Sequence, residues 1–587
     1  MHIYQQVHCE VMETVQSVVA THYPDINMDA RIHTAVVLDT PREPGHGEMT
    51  TNAAMALAKL CRTSPKQLAE EIAFALRETG NYLSVEVAGP GFVNIVLPPA
   101  RWQACLLTIL EQQLHYGDSC IGQNTTVNIE YVSANPTGPI HIGHARGAAF
   151  GDTLARLLAK VGYQVTKEHY VNDAGAQIDV LARSAFIRYR QACGEQDLTV
   201  PEGLYPGEYL IPVGEGLREA HGDRLLTMSE AEWLLIVKPF VVEAMLEQIR
   251  GDLQALGVYH DVFTSELSLH QQHKIEEAVE LLQQQGLLYR GVLPPPKGKE
   301  QVDWEPREQL LFRSTDFGDD IDRALQKPDG SWTYFAADFA YALDKIRRGF
   351  QIQVLVLGAD HAGYKKRMEA MVAALSGKQV PLHVRLCQLV HFIQDGQPLK
   401  MSKRAGTFIS VHDVLDAVGK DSIRFMMLSR KNEMPMEFDF AKVQEQSRDN
   451  PVFYVQYAHA RAKSVLRLAE QALPGINAQL AGGNIALLHQ LSAPEELALI
   501  RVLATWPKIA EAAALTYEPH RIIYYVQEVA AEFHGLWNSG KDQPHLKFIQ
   551  GEHPELTRAR LILVQAVAYV IASVLQLCDV EPAEMMQ

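Results

Sequence analysis

Two short segments carry the residue types that could do chemistry together. His141-Ile142-Gly143-His144 places two imidazoles three apart around a glycine, and Lys400-Met401-Ser402-Lys403-Arg404 supplies three cations far downstream. The first follows the loop Asn135-Pro136-Thr137-Gly138-Pro139 and opens a helical pattern. A helix start presents unpaired N–H groups and a positive dipole end, which favour phosphate. Imidazoles added there can follow charge developing on an α-phosphate, and Gly143 lets an adenine ring approach the backbone because no Cβ blocks it. The second segment lies between Gly396 and Gly406, so it reads as a flexible cationic loop. Displacement at an α-phosphate throws charge onto departing pyrophosphate, and cations closing around it stabilise the transition state more than the ground state. Taken singly, the histidines could be a surface or metal-binding pair and the lysines a solvated loop. Taken together, they read as a site that adenylylates an acid with ATP.

The elements that must position these residues follow from patterning. Thr126 to Val132 is a β-branched run, a helix runs from about Gly143 to Val161, and Gln164 to Val171 reads as the next strand. Strand, loop, helix and strand make a βαβ unit, hence a doubly wound parallel sheet. Gln353 to Leu357 is a second short apolar strand of that kind, buried on both faces. Gly143, Gly147 and Gly151 recur every four residues and give the helix a bare stripe for close packing. A long insertion, roughly 183–292, interrupts the sheet with helices at Val241 to Leu256 and His273 to Gln285, and Pro294-Pro295-Pro296 marks its exposed return. Before the sheet, Cys9 to Tyr23 and Lys66 to Glu78 are helical, and Ser84 to Val87 and Phe92 to Leu97 are strands around a Gly-Pro-Gly turn. After Asn450 the pattern is helical almost throughout.

Bulk properties bound the answer. A chain of 587 residues divides into three or four domains. Its seven cysteines are scattered without a Cys-x-x-Cys pair, which argues against a disulfide framework and a thiolate zinc site and fits a reducing cytoplasm. The start of the chain carries Glu10 and Glu13 with no basic-then-apolar order, so it is not a secretory signal. Leu561 to Cys578 lacks charge but holds Gln565, Ser573 and Gln576, and reads as a buried bundle helix rather than a membrane span. A net charge of −17 weakens nucleic-acid binding without removing it, because a local basic stripe suffices. From Asn450 onward 10 Lys and Arg face 13 Asp and Glu, with Arg461, Lys463 and Arg467 clustered near the start and Tyr454 and Tyr457 available to stack on unpaired bases.

The paired motifs resemble those of class I aminoacyl-tRNA synthetases, and nearly the whole chain is similar to the arginyl-tRNA synthetase family. The resemblance rests on 132–139 leading into His141, on Tyr170-Val171-Asn172-Asp173, on 315–320, on Gly358-Ala359-Asp360-His361, on Thr51-Asn52-Ala53-Ala54 with 87–92, and on 454–461. Lys403 is retained where many members of that family have a degraded lysine loop.

The resemblance implies an N-terminal α/β tRNA-contacting domain at 1–118 and a Rossmann-type catalytic domain at 119–385. It further implies a lysine-loop and stem-contact region at 386–449 and an α-helical anticodon-binding domain at 450–587. It implies catalysis by His141, His144, Lys400 and Lys403, with ATP (as its Mg2+ complex) held by His141, Gly143, His144, Met401, Ser402 and Lys403. L-arginine would be held by Ser133, Asn135, His144, Tyr334, Asp338 and His361. A guanidinium, planar with five donors, suits a carboxylate and a flat neighbour, and Tyr334 and Asp338 stand four apart, on one helix face. Asp173 and Gln177 are further candidates in the same region. The tRNA(Arg) would be contacted through Asn52, Tyr454, Tyr457, Arg461 and Lys463. The expectation is a cytoplasmic monomer with no structural metal and no membrane partner. The rival readings are a synthetase or nucleotidyl transferase of the same fold with another acid substrate, and a non-catalytic tRNA-binding relative.

Overall fold

The computed structural model describes every residue except 27–34, 42, 44, 196, 295–306, 328, 395, 399–409 and 587, and except the side chains of 481 and 482. Its centre is a parallel sheet of β1 (Thr126–Glu130), β2 (Gln164–Val171), β3 (Val262–Ser265), β4 (Ile352–Gly358) and β5 (Leu382–Cys387). The spatial order is β5-β4-β1-β2-β3, so the chain moves outward from β1 in one direction and returns to continue in the other. That reversal between β1 and β4 opens a crevice at the carboxyl ends of the strands, where open α/β sheets place ligands.

Burial on both faces explains the apolar run of β4, and the carboxylates buried in this sheet are paired. Asn128 and Glu168 are fully buried, and the Asn128 amide donates to Glu168 Oε2 at 2.5 Å. The Arg348 guanidinium, just past helix Tyr334–Arg347, reaches both Glu168 oxygens at 2.8 Å, and Lys345 Nζ donates to Glu130 Oε2 at 2.6 Å. Two carboxylates inside the sheet are thus neutralised by two cations at the end of one helix. Breaking either pair would strand a buried charge, which costs about 3–5 kcal/mol.

The helix after β1, α1 (Ala145–Lys160), lies against the sheet end, and a Cβ at Gly151 would stand 2.2 Å from the Tyr131 ring. This glycine therefore sets how closely helix and strand approach, whereas Gly147 meets nothing within 4 Å and opens on the crevice.

The insertion differs from its sequence reading. Its helices Ala176–Ala192, Ile211–His221 and α2 (Glu230–Ala255) share a core in which Phe186 stacks on Trp233 at 3.9 Å. Yet β3 lies within the segment read as inserted, and pairs with β2 from Glu168↔Val262 to Val171↔Ser265. Four half-buried residues at a sheet edge carry too little periodicity to stand out. A three-stranded antiparallel sheet, Leu288–Gly291, Gln309–Phe312 and Arg323–Ala324, follows and leads into α3 (Tyr334–Arg347). The Pro-rich connector proposed at 294–296 lies outside the described residues from 295 onward.

The N-terminal part folds as a four-stranded antiparallel sheet in the order Leu38–Asp39, Met49–Thr51, Phe92–Val96, Ser84–Ala88, backed by helices Ile3–His22 and Pro65–Glu78. It rests on the C-terminal helices, with Gln103 Nε2 donating to Leu491 O at 2.9 Å and Trp506 Nε1 donating to Tyr116 O at 2.8 Å. Among the described residues one helix is long and apolar enough to cross a membrane, Pro554–Leu577, and 83% of its most apolar window is buried among its neighbours.

A buried ion cluster ties that bundle to α1. Arg424, on α4 (Val411–Leu428), is 1% exposed and donates to Asp152 Oδ2 at 2.7 Å and to the Cys578 and Leu256 carbonyls. Arg156 bridges Asp152 and Asp579, and Lys420 also meets Asp579. The end of the last bundle helix is in this way anchored to the helix that His144 caps.

Candidate active site

His141 caps the turn Ile142–His144 that leads into α1, and its Nδ1 accepts the Gly143 amide at 3.1 Å. An acceptor at Nδ1 places the neutral ring's proton on Nε2. The two imidazoles lie together, ring centroids 4.0 Å apart, so both line one wall. A Cβ on Gly143 would stand 2.8 Å from the His141 ring, so glycine is what allows this folded-back pose.

The wall belongs to a cleft of about 960 Å3 along the carboxyl ends of β1, β2, β4 and β5. Ser133, Asn135, His141, Gly143, His144, Tyr334, Asp338 and His361 all line it, as does Gln177. Immediately after β1 the backbone is strained: Val132 has φ 70° and Ser133 φ 37°. A β-branched residue there is an outlier that persists only when its surroundings over-determine it. Those surroundings are visible, since Ser133 Oγ donates to Glu130 Oε1 at 3.1 Å and accepts the Tyr170 amide at 3.1 Å. Asn135 Nδ2 reaches Gln177 Oε1 at 3.5 Å across the mouth, and His361 pairs with Asp360 at 3.5 Å on the exposed rim.

Asp338 and Tyr334 share the cleft-facing side of α3, Asp338 half-buried and Tyr334 69% exposed. Burial, reinforced by the Glu130 and Glu266 carboxylates, pushes the Asp338 carboxyl up to about 7, with Arg367 and Lys345 opposing. Glu266 is likewise raised by burial. The cleft therefore concentrates negative charge that lacks a full set of cations, an arrangement suited to a cationic ligand. Glu130 and Glu266 were not singled out from sequence. The only local signal at Glu266 is a Ser265 cap preceding a short helix, which marks a helix start and not a ligand. Asp173 is taken up by this cap, accepting from Ser265 Oγ at 2.6 Å and from the Leu267 amide at 2.8 Å. Arg146, buried in the first turn of α1, was also missed; its Nη1 and Nη2 donate to the Gln388 and Lys431 carbonyls at 2.8 and 2.9 Å.

Lys400, Met401, Ser402 and Lys403 lie outside the described residues. At Ser410 the described chain forms an antiparallel bridge with His141.

The remaining candidates stand apart from the cleft. Asn52 fastens the 35–37 backbone, accepting the Val37 amide at 2.7 Å and donating to Ala35 O. On the helix Pro451–Ala472, Arg461 packs over Tyr457 at 4.3 Å and Trp537 at 5.0 Å, and its Nη1 reaches His534 Nδ1 at 2.7 Å. Tyr454 sits 4.7 Å from the His534 ring, which burial and Arg461 hold down at about 4 and hence neutral. Lys463 instead pairs with Glu584 at 3.1 Å. Among the described residues no group of three or more His, Cys, Asp and Glu could hold a metal ion.

Comparison with known proteins decides the family. The chain is 54% identical to the arginine–tRNA ligase of Parvibaculum lavamentivorans over 94% of this chain and 95% of that one, and 52% identical to that of Xanthobacter autotrophicus over the full length of both. It belongs to the arginyl-tRNA synthetase family. Family models for the arginyl tRNA synthetase N-terminal domain match 10–97, and models for the class I (R) catalytic domain match 106–205. The class I (I, L, M and V) model matches 328–439, and the DALR anticodon binding domain matches 455–586. A putative arginyl-tRNA synthetase structure from Campylobacter jejuni aligns with a TM-score of 0.71 at 30% identity, covering 84% of this chain and 100% of that one. The arginyl-tRNA synthetase of Thermus thermophilus aligns over 100% of both chains with a TM-score of 0.71 at 20% identity, a likeness of fold. The catalytic sheet of this arginyl-tRNA synthetase family member is thus the Rossmann-type sheet read from its sequence, with the α/β module before it and the helical bundle after it.

Proposed function

We propose that the chain is an arginine–tRNA ligase that activates L-arginine with ATP and transfers the arginyl group to the 3′-terminal adenosine of tRNA(Arg). The observation that carries this reading is the acid-lined recess of Asp338, Glu130 and Glu266 opening beside the paired imidazoles of His141 and His144. The guanidinium enters that recess against Asp338, with the Tyr334 ring at its edge. Ser133, Asn135, His144 and His361 line the part of the cleft left for the amino and carboxylate groups.

ATP lies along the start of α1 beside Gly143, where Gly147 leaves the backbone open and both imidazoles can donate to the α-phosphate. The arginine carboxylate oxygen attacks the α-phosphorus and the bond to pyrophosphate breaks. The 2′-hydroxyl of the terminal adenosine then attacks the carbonyl carbon and AMP leaves. Mg2+ accompanies ATP as its counter-ion and keeps most of its water, so no cage of protein ligands is required. Lys400 and Lys403, with Met401 and Ser402 beside them, supply charge to departing pyrophosphate. Asn52 in the N-terminal domain and Tyr454, Tyr457, Arg461 and Lys463 in the bundle contact the tRNA, and the enzyme acts as a cytoplasmic monomer.

The deciding experiment is amino-acid-dependent ATP–pyrophosphate exchange across the twenty amino acids, with tRNA present. Arginine alone should support exchange; selectivity for another amino acid, or tRNA binding with no exchange, would overturn the reading.

The raised Asp338 carboxyl gives a second expectation. A guanidinium pairs only with the ionised form, so arginine binding expels a proton whenever the pH lies below about 7. The arginine KM should therefore rise as pH falls below that point, approaching about tenfold per pH unit, while the ATP KM changes little. Without arginine, the folded state keeps this proton up to about pH 7 while the unfolded chain releases it near the ordinary value, so stability falls as pH rises between the two. An arginine KM independent of pH over about pH 6 to 8 would remove Asp338 from guanidinium binding.

A further inference from the structure

Asp252 belongs to the insertion helix α2, yet its carboxylate serves the catalytic turn. It is 3% exposed, and its Oδ2 accepts the amide of Ile140, the residue before His141, at 2.8 Å. Its Oδ1 stands 3.1 Å from His412 Nε2, in the first turn of α4. The same stretch of chain is gripped from the other side, where the Val411 amide donates to Ile140 O at 3.3 Å and Ser410 bridges His141. One carboxylate thus joins α2, the His141 turn and the start of α4. Burial raises its pKa, and the Ile140 amide and His412 act in the opposite direction by stabilising the anion.

We propose that Asp252 and His412 are a positioning pair that fixes the backbone entering the His141–His144 turn, and with it the two imidazoles. Ile140 and His141 form the link between the 135–139 loop and α1, and the angle at which they enter decides where both rings point. A displacement of about 1 Å at a reacting group can cost up to about 10² in rate. His412 reaches the carboxylate from the surface, its side chain 58% exposed, so it can be changed without opening a cavity. The pair is a consequence of the insertion's packing, since Asp252 is distant in sequence from both motifs. The inference rests on the proposal that His141 and His144 act on ATP.

The test uses full-length enzyme, tRNA and arginine-dependent pyrophosphate exchange, comparing His412→Ala, His412→Arg, Asp252→Asn, the double variant and His141→Ala. His412→Ala should lower kcat about tenfold with the arginine KM within about twofold and the fold retained at assay temperature, although loss of a partner for the buried Asp252 lowers the melting temperature. His412→Arg, which keeps a cationic donor for Asp252, should recover most of that loss. The double variant should be no slower than the slower single one, because the two side chains act as a unit. A kcat for His412→Ala within about twofold of the parent, or a loss that arginine at 412 does not restore, overturns the pairing. If His141→Ala is crippled while His412→Ala is normal, only the positioning pair fails; if His141→Ala is itself normal, the ATP-site reading fails.

Discussion

Asp338→Asn is expected to raise the arginine KM by about 10²–10³-fold, because removing one partner of a buried charge pair costs about 2–5 kcal/mol and asparagine turns an amide donor toward guanidinium donors. The shape of the recess is preserved, so ATP binding should hold. Stability provides the control. In the arginine-free enzyme the Asp338 carboxylate faces Glu130 and Glu266, so its neutral replacement should melt no lower than the parent, and a loss of activity cannot then be ascribed to unfolding. Arginine titrations of exchange, followed beside thermal melts, would check both statements. A variant with an unaltered arginine KM, or one altered only toward ATP, would place the guanidinium elsewhere.

Lys403→Ala is expected to slow arginine activation by about 10²–10³, the usual consequence of deleting one preorganised donor to developing charge. The effect should fall on kcat and leave tRNA affinity nearly unchanged, because on the proposed role the lysine acts as pyrophosphate departs and not as tRNA docks. Ser410, seven residues after Lys403 in sequence, is bridged to His141. Single-turnover formation of the adenylate would measure the step directly, and an unchanged rate would take Lys403 out of the mechanism.

The two motifs, the βαβ unit and the helical stretch after Asn450 were legible because each is a local signal. The run Thr126 to Val132, a Pro/Gly loop and a helix-opening histidine pair follow one another in sequence, and periodicity reports them. β2 was read with the bounds the structure gives it, Gln164–Val171. The strand β5 was not read, although Leu382-His-Val-Arg-Leu alternates apolar and polar residues as a half-buried strand at a sheet edge does. β3 was hidden inside a segment that otherwise reads as helical insertion.

The chain by itself determined which chemistry was on offer: imidazoles at a helix start, a cationic run, and an Asp and a Tyr four apart on one helix. Those are properties of neighbours, and side-chain spacing along a helix or strand fixes them before any folding occurs. Tertiary structure alone decided what the groups became. Asp338 is an ordinary carboxyl in sequence, and it is pushed up to about 7 only because folding sets it beside Glu130 from β1 and Glu266 from the short helix after β3, where like charges and low polarity disfavour ionisation. The strained Val132–Ser133 backbone, the Asp252–His412 grip on the His141 turn and the Arg461 stack on Trp537 likewise join residues from separate parts of the chain. Electrostatic and hydrogen-bond energies depend on distance in space, and a linear pattern contains no such distance.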